Sequence, residues 1–496
     1  VIFIERCKII AYSKQFARAI REDKNMDTLL DALQGTGSEF TENGMPTRSS
    51  SVNSVLDLFF KMGGARNTDT QELISWLVKA FGENPELTMK CIFYNRDVRG
   101  GQGERRSFRV FFKYLAENYP DTALKVLPFI PEYGRWDDVI FTCFDTPLES
   151  NAADFILSAL KSGDKLCAKW MPRENKSHSE EAKKLMSYFD LDERSYRKLL
   201  AGNTQVVENL MCKNQWGEIN YNHVPSIAMK NYRKAFGKHD QERFGKWIED
   251  LAKPESGAKI HADAIFPSDI VKNVAVAYTL QEKTLLDAQW KALPDYMPKG
   301  KHMIPVCDVS GSMSGEPMNV CISLGIYLGE RNEGPFKDAF ITFSGKPTLQ
   351  VLKGKTLCDK YVELIRAHWD MNTDLEAVFK LILNQAQRYN LPQESMPDSI
   401  VIISDMQFDQ CIEEPDNSGM EMIRRMYQES GYNVPNVYFW NVRTSYGVPV
   451  KFDEKGTALI SGYSPSIMKN FLEGDIDPIK IMLKTLNSER YSKIKL

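Results

Sequence analysis

Only six of the 496 residues are histidine, and none stands in an H-E-x-x-H pattern, which excludes a zincin-type metal centre. The nine cysteines (Cys7, Cys91, Cys143, Cys167, Cys212, Cys307, Cys321, Cys358 and Cys411) are odd in number and scattered singly, with no C-x-x-C pair. Such spacing reads as reduced core thiols in a cytosolic protein, not as a disulfide framework or a zinc ribbon. No apolar run approaches the roughly 20 residues of a membrane span. Residues 1–12 begin apolar, but Glu5, Arg6 and Lys8 interrupt them before a secretory signal could form. The expectation is a soluble protein in the cytoplasm. Charge of one sign is also missing: 63 Lys and Arg against 66 Asp and Glu leave a formal −3. A protein that coats nucleic acid by bulk charge is excluded, although local basic patches are not. The apolar fraction of 43% and charged fraction of 26% are those of a folded chain, long enough for more than one domain.

Two textures divide the sequence. Apolar residues recur at helical spacing in Val55-Leu56-Leu58-Phe59-Phe60, in Leu73-Ile74-Trp76-Leu77-Val78-Phe81 and in Phe108-Val110-Phe111-Phe112-Leu115. The same spacing continues through residues 123–127, 137–141, 152–160, 180–188 and 226–251 without strand alternation. Antiparallel helix pairs stacked as an irregular solenoid are expected. After residue 301 short apolar runs alternate with amphipathic stretches. Strands are expected at 303–307, 339–343, 348–352, 399–403, 437–442 and 458–460. Helices are expected at 318–328, 361–368, 375–389 and 420–429, and from Ser464 and Asp477 onward. Apolar strands between helices call for a parallel sheet covered on both faces, a doubly wound α/β domain with its ligand site at the carboxyl ends of the strands. The domains are therefore 1–54, an N-terminal helix and polar loop; 55–298, the helical repeat; and 299–496, the α/β domain. Residues 34–53, rich in Gly, Ser, Thr and Asn, read as an exposed loop.

Oxygen donors gather at two of the expected strand ends. Asp308-Val309-Ser310-Gly311-Ser312 follows one, Asp405 follows another, and Thr373 lies between them just before a helix. Two carboxylates and three hydroxyls suit a hard cation such as Mg²⁺, which takes about six oxygens and keeps several waters. Gly311 and Gly315 let the first loop bend around an ion. Serine helix-capping is the plain alternative. Asp409 is a weaker candidate than Asp405, and Asp370 and Asp374 are neighbours able to tune the site. The D-x-S-x-S run resembles the metal-ion-dependent adhesion site (MIDAS) of von Willebrand factor A domains, with Asp308, Ser310 and Ser312 matching its first motif, Thr373 its second and Asp405 its third. The resemblance implies bound Mg²⁺ (or Mn²⁺ or Ca²⁺), with one coordination position open to an acidic group of a partner.

The first half carries its own motifs. They include Thr41-Glu42-Asn43-Gly44 and Tyr94-Asn95-Arg96-Asp97-Val98-Arg99-Gly100-Gly101-Gln102-Gly103-Glu104-Arg105-Arg106. Tyr133-Gly134-Arg135-Trp136-Asp137-Asp138 and Lys169-Trp170-Met171-Pro172-Arg173-Glu174-Asn175 follow. In this order they resemble the family called domain of unknown function 2828 and, more distantly, the TROVE module of the Ro autoantigen. There a ring of HEAT-like helical repeats closed by a von Willebrand A domain binds single-stranded ends of non-coding RNA, forming a ribonucleoprotein. Read directly, residues 90–113 hold clustered Lys and Arg with interleaved glycines able to bring backbone N–H groups to a phosphate. Arg96, Arg99, Arg105, Arg106, Lys169, Arg173 and Lys176 are the candidate RNA-binding residues. A further basic segment, 230–246, reads equally well as a solvated helix face. Trp136 and Trp170 suit core anchors better than stacking platforms, and Asp137-Asp138 a cap or an ion partner better than a catalytic pair. His178, His223, His239 and His261 have no ligand-spaced partners and read as structural.

These readings converge on a non-enzymatic, Ro-like RNA-binding protein with a Mg²⁺ site. The alternative is a protein–protein adaptor whose metal captures an acidic partner residue. A metal-dependent hydrolase is the weakest reading, because hydroxyls dominate the shell and no general base accompanies them.

Overall fold

The computed structural model describes residues 38–496 except 42, 44, 205, 344–345, 368–372, 410–418, 444–446 and 471–475. The expected N-terminal helix, residues 34–37 of the expected loop, and Asp370 lie outside the described residues.

Helices fill the chain from Ser54–Met62 to Leu280–Lys291. Their ends follow local chemistry. Asn53 caps Ser54–Met62 by accepting the Leu56 N–H at 2.8 Å. Asn84 caps Pro85–Arg96 through the Leu87 N–H at 3.0 Å, with proline in the first turn where its missing N–H costs nothing. That second helix is buried on every side from Thr88 to Arg96 and forms the axis of the helical region. Its Phe93 meets Phe108, Phe112 and Tyr133 edge-on, while Tyr94 stacks on Phe59. Helices adjacent in sequence pack on one another as far as Lys165–Trp170; Ser179–Phe189 then packs back on Glu149–Lys161, and Glu193–Asn203 on Lys165–Trp170. The 100–103 loop lies close to the segment that precedes the Pro267–Val274 helix: a Cβ on Gly103 would lie 2.6 Å from the Phe266 ring. A second, smaller core gathers Ile219, Tyr221, Met229, Phe236, Phe244 and Leu285.

The C-terminal part is a six-stranded sheet in the order β5-β4-β3-β6-β7-β8. The strands are β3 (Met303–Asp308), β4 (Ala339–Phe343), β5 (Leu349–Val351), β6 (Ser399–Ser404), β7 (Asn436–Asn441) and β8 (Thr457–Ser461). β4, β3, β6, β7 and β8 run parallel, and β5 closes one edge antiparallel to β4. β3 and β6 are buried at every position, so both faces are covered, as their uninterrupted apolar sequence requires. The order reverses between β3 and β6, leaving a crevice at their carboxyl ends. Every expected strand and helix start of this part appears within a few residues of its place, the stretch from Ser464 being a 3₁₀ helix, Pro465–Asn470.

One expectation changes. The polar segment before residue 54 contains a hairpin, β1 (Ser38–Phe40) with β2 (Pro46–Arg48), paired antiparallel. It is fastened to the distant sheet region: the Thr41 hydroxyl donates to the Phe408 carbonyl at 2.5 Å, and Arg48 and Val448 exchange backbone hydrogen bonds. Polar residues there are partners for backbone groups, not a solvated loop. The helical and sheet parts also share one continuous apolar core, running from Met45 to Ile494. Among the described residues no helix is long and apolar enough to cross a membrane.

Candidate functional site

Asp308 is the last residue of β3 and is fully buried. Its Oδ1 accepts the Ser310 N–H at 2.9 Å and its Oδ2 the Ser404 hydroxyl at 2.6 Å. Among the described residues no basic side chain pairs with it. Burial, reinforced by the neighbouring Asp405 charge and opposed by the Ser404 and Ser310 hydrogen bonds, leaves its carboxyl pushed up to about 6. Ser310 and Ser312 turn their hydroxyls toward each other at 3.0 Å. The loop then passes through Gly315 at φ +93°, a conformation only glycine adopts without strain, into the Glu316–Arg331 helix.

Asp405 sits at the end of β6, 2% exposed, and its Oδ1 accepts the Gln407 N–H at 3.3 Å. Met406 between them is held at φ +67°, a strained conformation for a side chain of its size. The Gln407 carbonyl in turn accepts the Thr373 hydroxyl at 2.6 Å, and Asn43 donates to that hydroxyl at 3.2 Å. Thr373 is thus joined to the Asp405 turn through a single residue. Asp409 receives the Thr373 N–H at 2.7 Å and serves as a loop brace. Asp374 caps the following helix through the Ala377 N–H at 2.9 Å. Ser404 went unnoticed in the sequence because it reads as the polar end of a strand.

Among the described residues no three His, Cys, Asp or Glu side chains cluster as a metal site. A cation here would depend on hydroxyls and two carboxylates, and that donor set suits a hard ion. The two carboxylates, Asp308 having no basic partner among the described residues, fit such a charge.

Above the strand ends lies a cleft of about 780 Å³ whose walls come from both parts of the chain. Ser312, Asp405 and Gln407 form its floor on the sheet side, and the segment from Gly64 to Glu72 faces them from the helical side.

The candidate RNA residues have diverse fates. Arg96 is 2% exposed and ion-paired to buried Asp138 at 2.7 Å, so it offers no surface to a phosphate. Arg109 joins the same network through both Asp137 and Asp138, and Arg135 pairs with Asp137 at 2.6 Å. Asp138 keeps a lowered carboxyl despite its burial, because Arg96 and Arg109 oppose the desolvation. Arg106 is spent on the Thr68 carbonyl at 2.6 Å, and Lys169 on Glu208 at 3.0 Å. Arg173 is half-buried with its guanidinium on the Ala168 carbonyl. Arg99, Arg105, Arg106 and Lys176 are exposed. Trp136 is a core residue against Phe155, while Trp170 lies beneath the Arg135 guanidinium at 3.9 Å.

Much of the 100–103 loop's backbone is engaged internally. The N–H groups of Gln102, Gly103 and Glu104 donate to the carbonyls of Tyr94, Asp97 and Asn95. A Cβ on Gly101 would overlap the Tyr94 carbonyl oxygen, and one on Gly100 would meet the Arg490 side chain. The loop is an internal fastener. Gln102 donates to the Ser461 carbonyl at 3.0 Å, and buried Asp97 holds Arg490 and the Tyr491 hydroxyl of the C-terminal segment.

A helical region fused to a mixed α/β domain, with an oxygen-lined cleft at their junction, is the class of protein the structure defines. Residues 41–137 and 163–301, in the helical part of the chain, match the family described as Domain of unknown function (DUF2828). Residues 302–492 match Domain of unknown function (DUF7788). The uncharacterized protein L728 of Acanthamoeba polyphaga mimivirus is similar along nearly the whole length: 29% identical over 506 residues, covering 90% of this chain and 87% of its own.

Proposed function

We propose that this chain captures an acidic group through a divalent cation, Mg²⁺ or a similar hard ion, at the carboxyl ends of β3 and β6. Asp308, Ser310, Ser312, Thr373 and Asp405 would hold the ion, directly or through water. When bound, the ion supplies a positive centre with a position open to an anionic oxygen of a ligand. The carrying observation is Asp308, a fully buried carboxylate beside a second carboxylate and without a basic partner among the described residues. Such a group is costly to ionise unless a cation arrives. The strand order, with its reversal between β3 and β6, supports the von Willebrand A resemblance. Hydroxyl-dominated ligation supports binding without turnover. The test is thermal unfolding of the full chain in EDTA and in Mg²⁺. Mg²⁺ should raise the midpoint for the native sequence and leave Asp308→Ala unmoved; equal response by both would end the reading.

A second reading, Ro-like binding of RNA by a ring of repeats, keeps support from the approach of the 100–103 loop to Phe266 and from exposed Arg99, Arg105 and Lys176. Filter binding of single-stranded RNA at increasing salt tests it. Affinity should fall with salt and drop again in Arg99→Glu with Arg105→Glu; a flat response removes it.

A further inference from the structure

Two arginines flank the cleft, and the motif-rich loop of the helical region is built around one of them. The Arg66 guanidinium lies on the Tyr463 ring at 3.9 Å, with Nε 3.0 Å from Glu104 Oε2. Its terminal nitrogens have no hydrogen-bond partner among the described residues. Arg106 fixes the segment carrying it by donating to the Thr68 carbonyl at 2.6 Å and the Arg66 carbonyl at 3.4 Å. Glu104 in turn accepts the Arg106 N–H at 2.9 Å. Arg443 is exposed, lines the same cleft and donates to the Ser312 carbonyl, beside the candidate metal loop. Gly64 packs so closely on the Arg443 backbone that a Cβ would lie 2.6 Å from its carbonyl carbon. Both guanidinium groups are thus presented by braced backbone from opposite parts of the chain.

The remaining wall is polar. Asp69 caps the Thr70–Glu83 helix through the Gln71 N–H, Glu72 stands in that helix's first turn, and Glu316 is paired with Lys272 at 2.9 Å. Asp69 and Glu72 offer acceptors for a ligand's hydroxyl groups. The cleft's 780 Å³ falls in the range of small-molecule sites.

Resting on the metal-site reading above, we propose that the captured acidic group is a phosphate monoester on a small polyhydroxylated ligand, gripped jointly by the cation, Arg66 and Arg443. A carboxylate has two oxygens and one charge, which the cation and a single guanidinium exhaust. A phosphate monoester has three terminal oxygens and up to two charges, enough for the ion and both forks at once. Glu104, Arg106 and Tyr463 are positioning residues for Arg66.

Isothermal titration of the full chain tests this, using Mg²⁺ alone and then, in saturating Mg²⁺, inorganic phosphate, ribose 5-phosphate, adenosine monophosphate and N-acetylglutamate. Both organic phosphates should bind at least ~10-fold more tightly than N-acetylglutamate, and inorganic phosphate should bind more weakly than they do because it lacks the hydroxyls. The two sugar-bearing arms separate a sugar phosphate from a nucleotide source. Arg66→Gln and Arg443→Gln should each weaken ribose 5-phosphate about tenfold while Mg²⁺ binding stays unchanged. Arg66→Lys, which keeps the charge and loses the fork, should fall between and serves if the glutamine variant folds poorly. N-acetylglutamate binding as tightly as the phosphates, or wild-type phosphate affinity in the arginine variants, overturns the inference. Mg²⁺ binding without phosphate binding overturns it and leaves the cation-capture reading standing; no Mg²⁺ binding overturns both.

Discussion

The 96–106 loop of the helical region and the 308–315 loop of the sheet region look alike in composition: each joins charged residues to flexible glycines. Their structures are opposites. In the first, opposite charges meet inside the protein and the N–H groups of Gln102, Gly103 and Glu104 already have carbonyl partners. In the second, a buried carboxylate accepts from a hydroxyl and an amide beside a second carboxylate, with no basic partner among the described residues, and the chain turns toward an open cleft. Glycine next to charge therefore signals close packing as readily as ligand binding. What separates the two is whether the opposite charge is supplied by the protein itself.

The largest expected effect breaks the first loop. Arg96→Ala removes one of the two basic partners of buried Asp138, leaving Arg109 alone to balance it, and should cost about 3 kcal/mol or more in urea unfolding. Unchanged stability would restore Arg96 as a surface residue. Next is Asp308→Asn, which should stabilise the metal-free protein at pH 7 by up to about 3 kcal/mol, the worth of a carboxyl raised from 3.8 to about 6. The folded state holds this proton more tightly than the unfolded one. Asp308's contribution is thus fully present below about pH 4 and lost as pH rises through 6; above that the penalty is constant. Added Mg²⁺ should reverse the ranking of the two proteins at pH 7, and its affinity should fall roughly tenfold per pH unit below 6, readable by titration calorimetry. Gly101→Ala, whose new methyl overlaps the Tyr94 carbonyl, should cost about 1–3 kcal/mol by the same unfolding measurement. Arg105→Glu should be smallest, within about 0.5 kcal/mol in stability, because the side chain is exposed.

Much of the sheet region was legible. Runs such as Ile400 to Ile403 are too apolar and too short for anything but a covered strand, and the turns around them are marked by polar residues. Asp308 and Asp405 could be placed at strand ends for the same reason. The β1–β2 hairpin was not legible, since three-residue strands carry no measurable alternation and their partners lie hundreds of positions away. Arg96 misled because its neighbour in space, Asp138, is 42 residues off, and a charged residue in sequence gives no sign of an interior partner. Arg66 carried no signal at all; its role depends on Glu104, Tyr463 and the cleft.

Sequence alone settled the local choices: helix or strand, where each begins, and which side chains end the two central strands. Those depend on periodicity, capping and backbone freedom, which act over a few residues. Tertiary structure alone decided which charges are neutralised indoors and which face the cleft, because electrostatic pairing and desolvation depend on distances through space that chain order does not encode.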